Sequence, residues 1–347
     1  MNNYSITKAM IDATVAHGIK EMAEDPHRSV RRLADLGRRF SRSGFHEFVF
    51  SIMQELLANE KSAYYDMVAN LLRNSNEESL RVYGVNTGYM SWTYGAREIR
   101  KYQAEHRKAL PVSIQLRYDP SIQDKENALT VSDIAAIVRQ GEKLGIYTYY
   151  IRQIGDLNDD YGILSVFGSF RDSAFTWMRP NGRLTAAQIQ LLNDCRNVCT
   201  ILPAGDTETY ITASFLRTQK ILYAIYALYN DVNREQVFHD LVSEGALTSE
   251  AALCFLVQED GAKADLADLC RESRNKQELP CFLIDYYRNA ASLSNMTVQH
   301  PYVLEIGTDR TILSPDADAG RLNMEKPLEE ELGRIMPALT EQGSLLQ

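Results

Sequence analysis

The spacing of apolar side chains changes close to residue 110. Before that point, apolar residues recur every three or four positions, between Phe45 and Leu56 and again over 62–73, which is typical of amphipathic helices. A passage rich in glycine and aromatic residues then runs from Tyr83 to Gly95. Its glycines match neither a P-loop nor a dinucleotide-binding fingerprint, so we expect the backbone to pack closely against aromatic rings there. The pattern predicts a helical N-terminal domain over residues 1–108.

Beyond Pro111, short apolar runs alternate with amphipathic helical segments. The runs predicted as strands are 112–118, 146–151, 173–178, 198–202, 221–229, 251–257 and 281–287. The run 221–229 can also be interpreted as a helix, but a strand keeps the alternation regular. Such alternation predicts a parallel sheet with right-handed crossovers and covered faces. Because no glycine-rich phosphate turn follows the first run, a barrel is favoured over a dinucleotide-binding fold.

The predicted fold class is therefore α/β, a partial (β/α)6 TIM-like barrel over 109–290 preceded by the helical N-terminal domain. A C-terminal extension covers 291–347. Its segment YVLEIGTDRTILSP, 302–315, predicts a hairpin of two short strands. The polar segment that starts at Glu325 predicts a frayed helix.

The charge balance limits the classes of partner. A formal net charge of -9 argues against general nucleic-acid binding, which needs clustered Lys and Arg to neutralise phosphates. One basic cluster, HRSVRRLADLGRR at 27–39, is explained either by the solvated face of a helix or by a docking face for a partner. The sequence has no long apolar run and no apolar signal-peptide core, so we expect a cytoplasmic protein that does not enter membranes.

The five cysteines are too few and too scattered for a disulfide framework, and they form no C-x-x-C pair. Cys195 and Cys199 lie where a helix passes into a strand, and we expect all five thiols to be buried as small apolar side chains. His46, His106 and His239 belong to predicted helices, and no Ser-His or Cys-His pair is supported. His300, in a loop before Pro301, is expected to approach the barrel mouth.

Reactive groups are expected where the strands end, because barrel active sites lie at the carboxyl ends of the strands. Arg117, Arg152 and Arg179 stand at the ends of three successive strands and are predicted to clamp a carboxylate or phosphate. The predicted general bases are Asp119, Asp156 and Asp285. The other predicted ligand-binding residues are Gln153, Asn181, Asp206 and Tyr286, with Glu208, Asn230, Glu259 and Asp260 at the same strand ends.

Two alternatives compete with this hypothesis. In the first, the charged groups pair with one another and have a structural role only. In the second, Asp119, Asp156 and Glu259 bind a divalent metal ion, although nothing in their spacing requires one and no metal site is predicted.

The order of the parts resembles the radical S-adenosylmethionine (radical SAM) enzymes that have a helical N-terminal region and a C-terminal extension of the peptide-modifying type. The resemblance covers most of the chain. Its anchors are GVNTGYMSWTYGAREIR before the barrel, PVSIQLRY as first strand, LTVSDIAAIVRQGEKLGIYTYYI as first helix and second strand, and DSAFTWMRPNGRLTAAQIQLL as third unit. PCFLIDYYRN and YVLEIGTDRTILSP resemble the late parts.

The resemblance implies three chemical signatures that are missing. In the family, a C-x-x-x-C-x-x-C loop after the first strand supplies three thiolates to a four-iron cluster, but the loop here is DPSIQDKEN. Oxygen donors cannot replace soft thiolates around iron and sulfide. The segment RQIGD, Arg152–Asp156, replaces the family's Gly-Gly-Glu-type segment, and Ser314-Pro315 stand where relatives often place a cluster cysteine. The sequence therefore indicates a degenerate member in which a 4Fe-4S cluster is not expected.

Two functions remain open, and whether the chain is an enzyme is left undecided. The first is a non-radical partner or substrate-presenting subunit in a peptide or natural-product modification pathway, with an active enzyme or a peptide substrate as its partner. The second is a repurposed enzyme that binds a small anionic or nucleoside-type ligand at the barrel mouth. S-adenosylmethionine is an open option as cofactor, and no other cofactor is predicted.

Overall fold

The computed structural model describes residues 3–24, 59–124, 126–156 and 161–339. Helices precede the first strand: α1 (Asn3–Glu24), α2 (Tyr64–Asn74), α3 (Glu77–Val85), a π-helix (Asn86–Gly95) and α4 (Ala96–His106). The basic cluster at 27–39, His46 and most of the helix predicted after Gly44 lie outside the described residues.

Strands and helices then alternate, as the apolar pattern predicts. The strands are β1 (Ser113–Tyr118), β2 (Thr148–Gln153), β3 (Ala174–Met178), β4 (Val198–Pro203), β5 (Tyr223–Tyr229), β6 (Leu253–Gln258), β7 (Phe282–Asp285) and β8 (Leu304–Ile306). The helices are α5 (Val131–Leu144), α6 (Gly162–Ser169), α7 (Ala186–Asp194), α8 (Thr207–Thr218), α9 (Arg234–Asp240), α10 (Ala246–Ser249), α11 (Ala267–Lys276), α12 (Tyr286–Val298) and α13 (Leu328–Ile335), with a short π-helix at Leu241–Gly245. The strand interpretation of 221–229 is confirmed.

The chain divides into two compact units, each built from two segments. The first unit comprises residues 1–81 and 202–289, and its strands run in the order β7-β6-β5. The second unit comprises residues 82–201 and 290–347, and its strands run in the order β4-β3-β2-β1-β8. All the pairings within each unit are parallel. The predicted α/β class, a partial TIM-like barrel, is confirmed; the domain boundaries at 108 and 290 stay a prediction.

The eighth strand comes from the segment predicted as a hairpin. Leu304–Ile306 pairs in parallel with β1, so the first arm of the predicted hairpin also extends the sheet. The hairpin itself is present, since the Gly307 and Leu313 backbone N–H groups donate to the Thr311 and Glu305 carbonyls. Its return arm contributes one antiparallel bridge between Ile306 and Ile312. The described residues thus contain eight strands, three in the first unit and five in the second, where the sequence analysis gives seven apolar runs and a (β/α)6 barrel.

The two faces of the second unit's sheet differ sharply. Tyr149 Oη donates a hydrogen bond to the Val138 carbonyl of α5, and the Phe167 ring of α6 lies 4.7 Å from the Phe175 ring. These contacts define a helix-covered face. Side chains alternate along a strand, so the next residue in each strand points the other way. Gln115, Tyr150 and Thr176 therefore share the opposite face, which we call the polar face.

The C-terminal helix is packed, which corrects the expectation of a frayed helix for residues 325–339, whereas 340–347 lie outside the described residues. Leu328, Leu332 and Ile335 of α13 recur every three or four residues and are buried. Arg334 Nη2 donates to the buried Glu331 carboxylate at 2.6 Å. An apolar stripe with one paired charge anchors this helix within the second unit.

Glycine packing in the π-helix also differs from expectation. A Cβ added at Gly84 or Gly88 would meet nothing within 4 Å, so neither glycine packs against a ring. At Gly95, a Cβ would lie 2.1 Å from the carbonyl oxygen of Gly145, which follows α5 with φ of +91°. The close contact is therefore one of backbone with backbone.

Gly95→Ala is expected to lower the free energy of unfolding by about 1–3 kcal/mol, because the new methyl group must displace the Gly145 backbone. Gly88→Ala is the matched control in the same helix. It is expected to be neutral or to add up to about 1 kcal/mol, since alanine restricts the unfolded chain. Urea unfolding of the two variants measures the difference, and equal stabilities would contradict the backbone contact.

Candidate functional site

The three arginines predicted to form one clamp are divided between the two faces. Arg117 of β1 is in register with Arg152 of β2, so both belong to the polar face. Arg152 is in register with Met178 of β3, and Arg179 is the next residue. Arg179 therefore lies on the helix-covered face, and the sheet does not bring the three guanidinium groups together.

Arg179 organises a buried network on the helix-covered face. Its Nη1 donates to Gln153 Oε1 at 2.9 Å and its Nη2 to Asp156 Oδ1 at 2.8 Å, while the guanidinium lies 4.8 Å from the centre of the Trp177 ring. Asn181 Nδ2 donates to the other carboxylate oxygen of Asp156 at 2.7 Å. Trp177 Nε1 donates to Gln153 as well, at 3.0 Å. Both oxygens of the predicted base Asp156 are thus acceptors within the protein.

Arg117 forms an ion pair that the sequence analysis did not foresee. Its Nε lies 2.7 Å from Glu305 Oε1, and both side chains are largely buried. Glu305 stands opposite Gln115 because β8 pairs with β1, a pairing that is not part of the sequence prediction. The Ser314 hydroxyl oxygen accepts from the Glu305 backbone N–H at 2.6 Å. The sequence did contain a signal for this pair, because Glu305 is an acidic residue inside an otherwise apolar strand.

The loop after β1 uses its oxygens to shape turns. Asp119 Oδ1 accepts from the Ser121 backbone N–H at 2.9 Å and from its hydroxyl at 2.6 Å. Asp124 accepts from the Asn127 side chain at 2.7 Å, which holds the pKa of Asp124 below its usual range. A Cβ at Gly155, after β2, would lie 2.0 Å from Asp119 Oδ1, so the two loops touch.

The donor set of this loop does not fit an iron–sulfur cluster. Its donors are carboxylate, hydroxyl and amide oxygens, and thiolates are the ligands that such clusters need. The thiols are buried elsewhere: Cys195 at the end of α7, Cys270 in α11, and Cys199, Cys254 and Cys281 at or just before the amino-terminal ends of strands. Burial raises the pKa of Cys195 to about 11 and that of Cys199 to about 12. The prediction of buried thiols is confirmed.

The predicted site residues of the first unit stabilise local structure. Asp285 is buried and accepts from the Leu266 and Arg288 backbone N–H groups, each at 3.1 Å, and from Tyr229 Oη at 3.2 Å. Burial raises the pKa of Asp285. Tyr286 is buried beside it in the chain. Asp285 therefore connects β5, β7 and the turn before α11.

Two further candidates of this unit hold turns. Asp206 is the N-cap of α8, where it accepts from the Glu208 backbone N–H at 3.1 Å. Asn230 Nδ2 donates to Glu259 Oε2 at 3.0 Å, and Asp260 is exposed in the following turn. Among the described residues, no group of three or more His, Cys, Asp or Glu side chains is arranged to hold a metal ion, so the metal alternative through Asp119, Asp156 and Glu259 finds no support.

His300 is a packed residue. It is buried, its ring lies 4.9 Å from that of Tyr302, and the Gln103 amide nitrogen lies 2.7 Å from its Nε2. Burial lowers the pKa of His300 to about 4, so the ring is neutral at pH 7. His106 and His239 are exposed on their helices.

Fold and site together define a class: an α/β protein of parallel strands in which most of the predicted charged groups at the strand ends are held by ion pairs or hydrogen bonds within the protein. No family model matches the chain, and no curated protein matches it either. None of the helices that the structure describes is both long and apolar enough to cross a membrane.

Solved structures of SuiB from Streptococcus suis are similar to this chain. The complex with S-adenosylmethionine has a TM-score of 0.47 and 14% identity, and the match covers 69% of this chain and 67% of that chain. The complex with the precursor peptide SuiA has a TM-score of 0.49 and 13% identity, covering 69% and 68%. SuiB determined alone has a TM-score of 0.48 and 13% identity, covering 69% of both chains. At these values the similarity assigns no family, ligand or partner to this chain.

Proposed function

We propose that this chain is a cluster-free relative of the radical SAM enzymes that acts as a non-radical partner or substrate-presenting subunit in a peptide or natural-product modification pathway. One observation carries the proposal. The three carboxylates predicted as general bases, Asp119, Asp156 and Asp285, all accept hydrogen bonds that fix loops or helix ends. A base must reach the proton that it abstracts, and these oxygens are held by the protein instead.

The oxygen donors of the loop after β1 support the cluster-free part of the proposal. Asp119 and Asp124 are engaged in turns of the loop itself, and every thiol of the chain is buried. Hard oxygen ligands bind iron and sulfide poorly compared with thiolates. The loop is therefore suited to hold its own shape and not to hold an iron–sulfur core.

Elemental analysis tests the loss of the cluster. The protein is isolated without oxygen, incubated with ferrous iron and sulfide, desalted, and assayed for iron and acid-labile sulfide. We expect both to stay far below one equivalent per chain, as in a Cys195→Ser, Cys199→Ser control. A brown wild-type protein with stoichiometric iron that the control lacks would show that these thiols hold a cluster.

Recovery of the protein from its own cells tests the partner role. We expect the tagged chain to retain one polypeptide in constant ratio through gel filtration, and the two purified proteins to bind again when mixed. A chain that elutes alone and converts a small substrate without any second protein would overturn the proposal.

A second candidate function is supported by a different observation. Arg152 Nη1 is buried and makes no hydrogen bond with any residue that the structure describes. A buried guanidinium nitrogen without a partner is costly, and an anionic ligand would satisfy it. We therefore keep the alternative of a small anionic or nucleoside-type ligand, S-adenosylmethionine included, as a separate proposal.

A further inference from the structure

The polar face carries a row of polar side chains across adjacent strands. Glu305 of β8 is in register with Gln115 of β1, Gln115 with Tyr150 of β2, and Tyr150 with Thr176 of β3. Tyr83 reaches this row from α3, its hydroxyl 2.9 Å from the Thr176 hydroxyl. Strands of a covered parallel sheet are normally apolar on both faces. A buried polar row is therefore a feature that packing alone does not explain.

Two strands of this face carry buried polar atoms that lack partners. Gln115 is 1% exposed, and neither its amide oxygen nor its amide nitrogen is hydrogen-bonded to the part of the chain that the structure describes. The same holds for Thr148 Oγ1 and Arg152 Nη1. Gln115 is the register partner of Tyr150, and Arg152 is two residues further along β2, so Gln115 and Arg152 are diagonal neighbours on one face, a pair that we call the patch. Thr148 lies on the other side of Tyr150, about 13 Å from Arg152 along the strand. Buried polar groups in proteins are almost always hydrogen-bonded, so these atoms call for a physical explanation.

The chemistry of the patch defines what it would take. Arg152 is a cation that forms no salt bridge with the described residues, whereas its register neighbour Arg117 is neutralised by Glu305. A guanidinium pairs best with a carboxylate or phosphate. Gln115 offers a donor and an acceptor together, which matches a hydroxyl or an amide.

We propose that the Gln115 and Arg152 patch of the polar face binds a small oxyanion, a carboxylate or phosphate, that also carries a hydroxyl or amide group. This inference rests on the second proposed function and specifies its ligand class. It adds Gln115 to the predicted residue Arg152, and it excludes Arg179, which lies on the other face.

Thermal unfolding tests the proposal with sodium L-lactate, a carboxylate with a hydroxyl, and with inorganic phosphate, at constant ionic strength set with sodium chloride. We expect at least one probe to raise the melting temperature of the wild-type protein by about 2 °C or more at saturation. The rise should disappear in Gln115→Met and in Arg152→Met. It should persist in Gln123→Met and Arg171→Met, which change exposed residues of the same unit and match the changes in polarity and charge.

The probe-free variants provide an independent readout. Gln115→Met removes an amide without partners, so we expect its own melting temperature to equal or exceed that of wild type by about 2 °C. A lower value would mean that ordered water satisfies the amide, and this would overturn the proposal. So would a wild-type protein that neither probe stabilises, or a probe effect that survives in both patch variants. If Gln115→Met fails to fold, the proposal is tested by the probe effect in Arg152→Met and by calorimetric titration of the probes. None of these results changes iron content or partner binding, so the partner role is judged separately.

Discussion

Asp156→Ala is expected to lower the free energy of unfolding by about 3 kcal/mol, since it removes the carboxylate that pairs with the buried Arg179 guanidinium. Arg179 is 1% exposed, and the Gln153 oxygen and the Arg183 carbonyl, which also accept hydrogen bonds from it, are neutral. The substitution also frees the Asn181 amide. Urea unfolding monitored by circular dichroism measures the loss.

Two further variants separate a buried pair from an ordinary one. Asp268→Ala removes the partner of Arg271 in an exposed pair 2.7 Å apart, and is expected to change stability by less than about 0.5 kcal/mol. Arg179→Met added to Asp156→Ala should recover part of the loss, because it removes the buried positive charge that Asp156 pairs with in the wild-type protein. The opposite result would be an Asp156→Ala protein that is as stable as wild type but lacks an activity that wild type has. That result would indicate that Asp156 acts as a general base.

Acidification between pH 6.5 and 4 is expected to remove about 3 kcal/mol of stability through His300 alone. The pKa of this ring is lowered from 6.5 to about 4 by burial, so the unfolded chain binds a proton in this range and the folded chain does not. Stability from His300 is therefore complete above pH 6.5, falls as the pH drops towards 4, and then levels off.

The comparison with a variant isolates this residue from the carboxylates that titrate nearby. His300→Gln keeps a polar side chain beside Gln103 and Tyr302 but cannot take up the proton. The difference in unfolding free energy between wild type and His300→Gln should shrink with falling pH. His106→Gln, at an exposed position, should run parallel to wild type. Parallel curves for His300→Gln as well would contradict a neutral buried ring.

The apolar pattern predicted the strands and helices well because each strand is covered by packing that demands apolar residues. The starts of α5 and α7 carry a signal of another kind, because Thr130 and Thr185 form capping boxes, which depend only on residues close in the sequence. Local signals could not foresee the parallel pairing of β8 with β1, since 304–306 is brought to β1 by nearly two hundred residues of intervening chain.

The sequence indicated which residues stand at the strand ends, but not which of their side chains lie on the same face of the sheet. Arg117, Arg152 and Arg179 all stand at strand ends, yet a one-residue difference in register places Arg179 on the opposite face. Because side chains alternate between the two faces of a strand, an offset of one residue moves a side chain to the opposite face. The sequence of a single strand does not determine its register with its neighbours. Gln115 was missed for the opposite reason, because one glutamine in the middle of an apolar strand carries no signal until its neighbours are known.

The burial of the native thiols has a practical consequence. With a pKa of about 12, Cys199 exists as the reactive thiolate in roughly one molecule per 100,000 at pH 7, and its burial blocks reagents further. The native thiols of the folded chain should thus react very slowly with maleimides. A single cysteine introduced at the surface would be modified selectively, so photo-crosslinkers or spin labels can be scanned over the wild-type background to locate whatever docks on it.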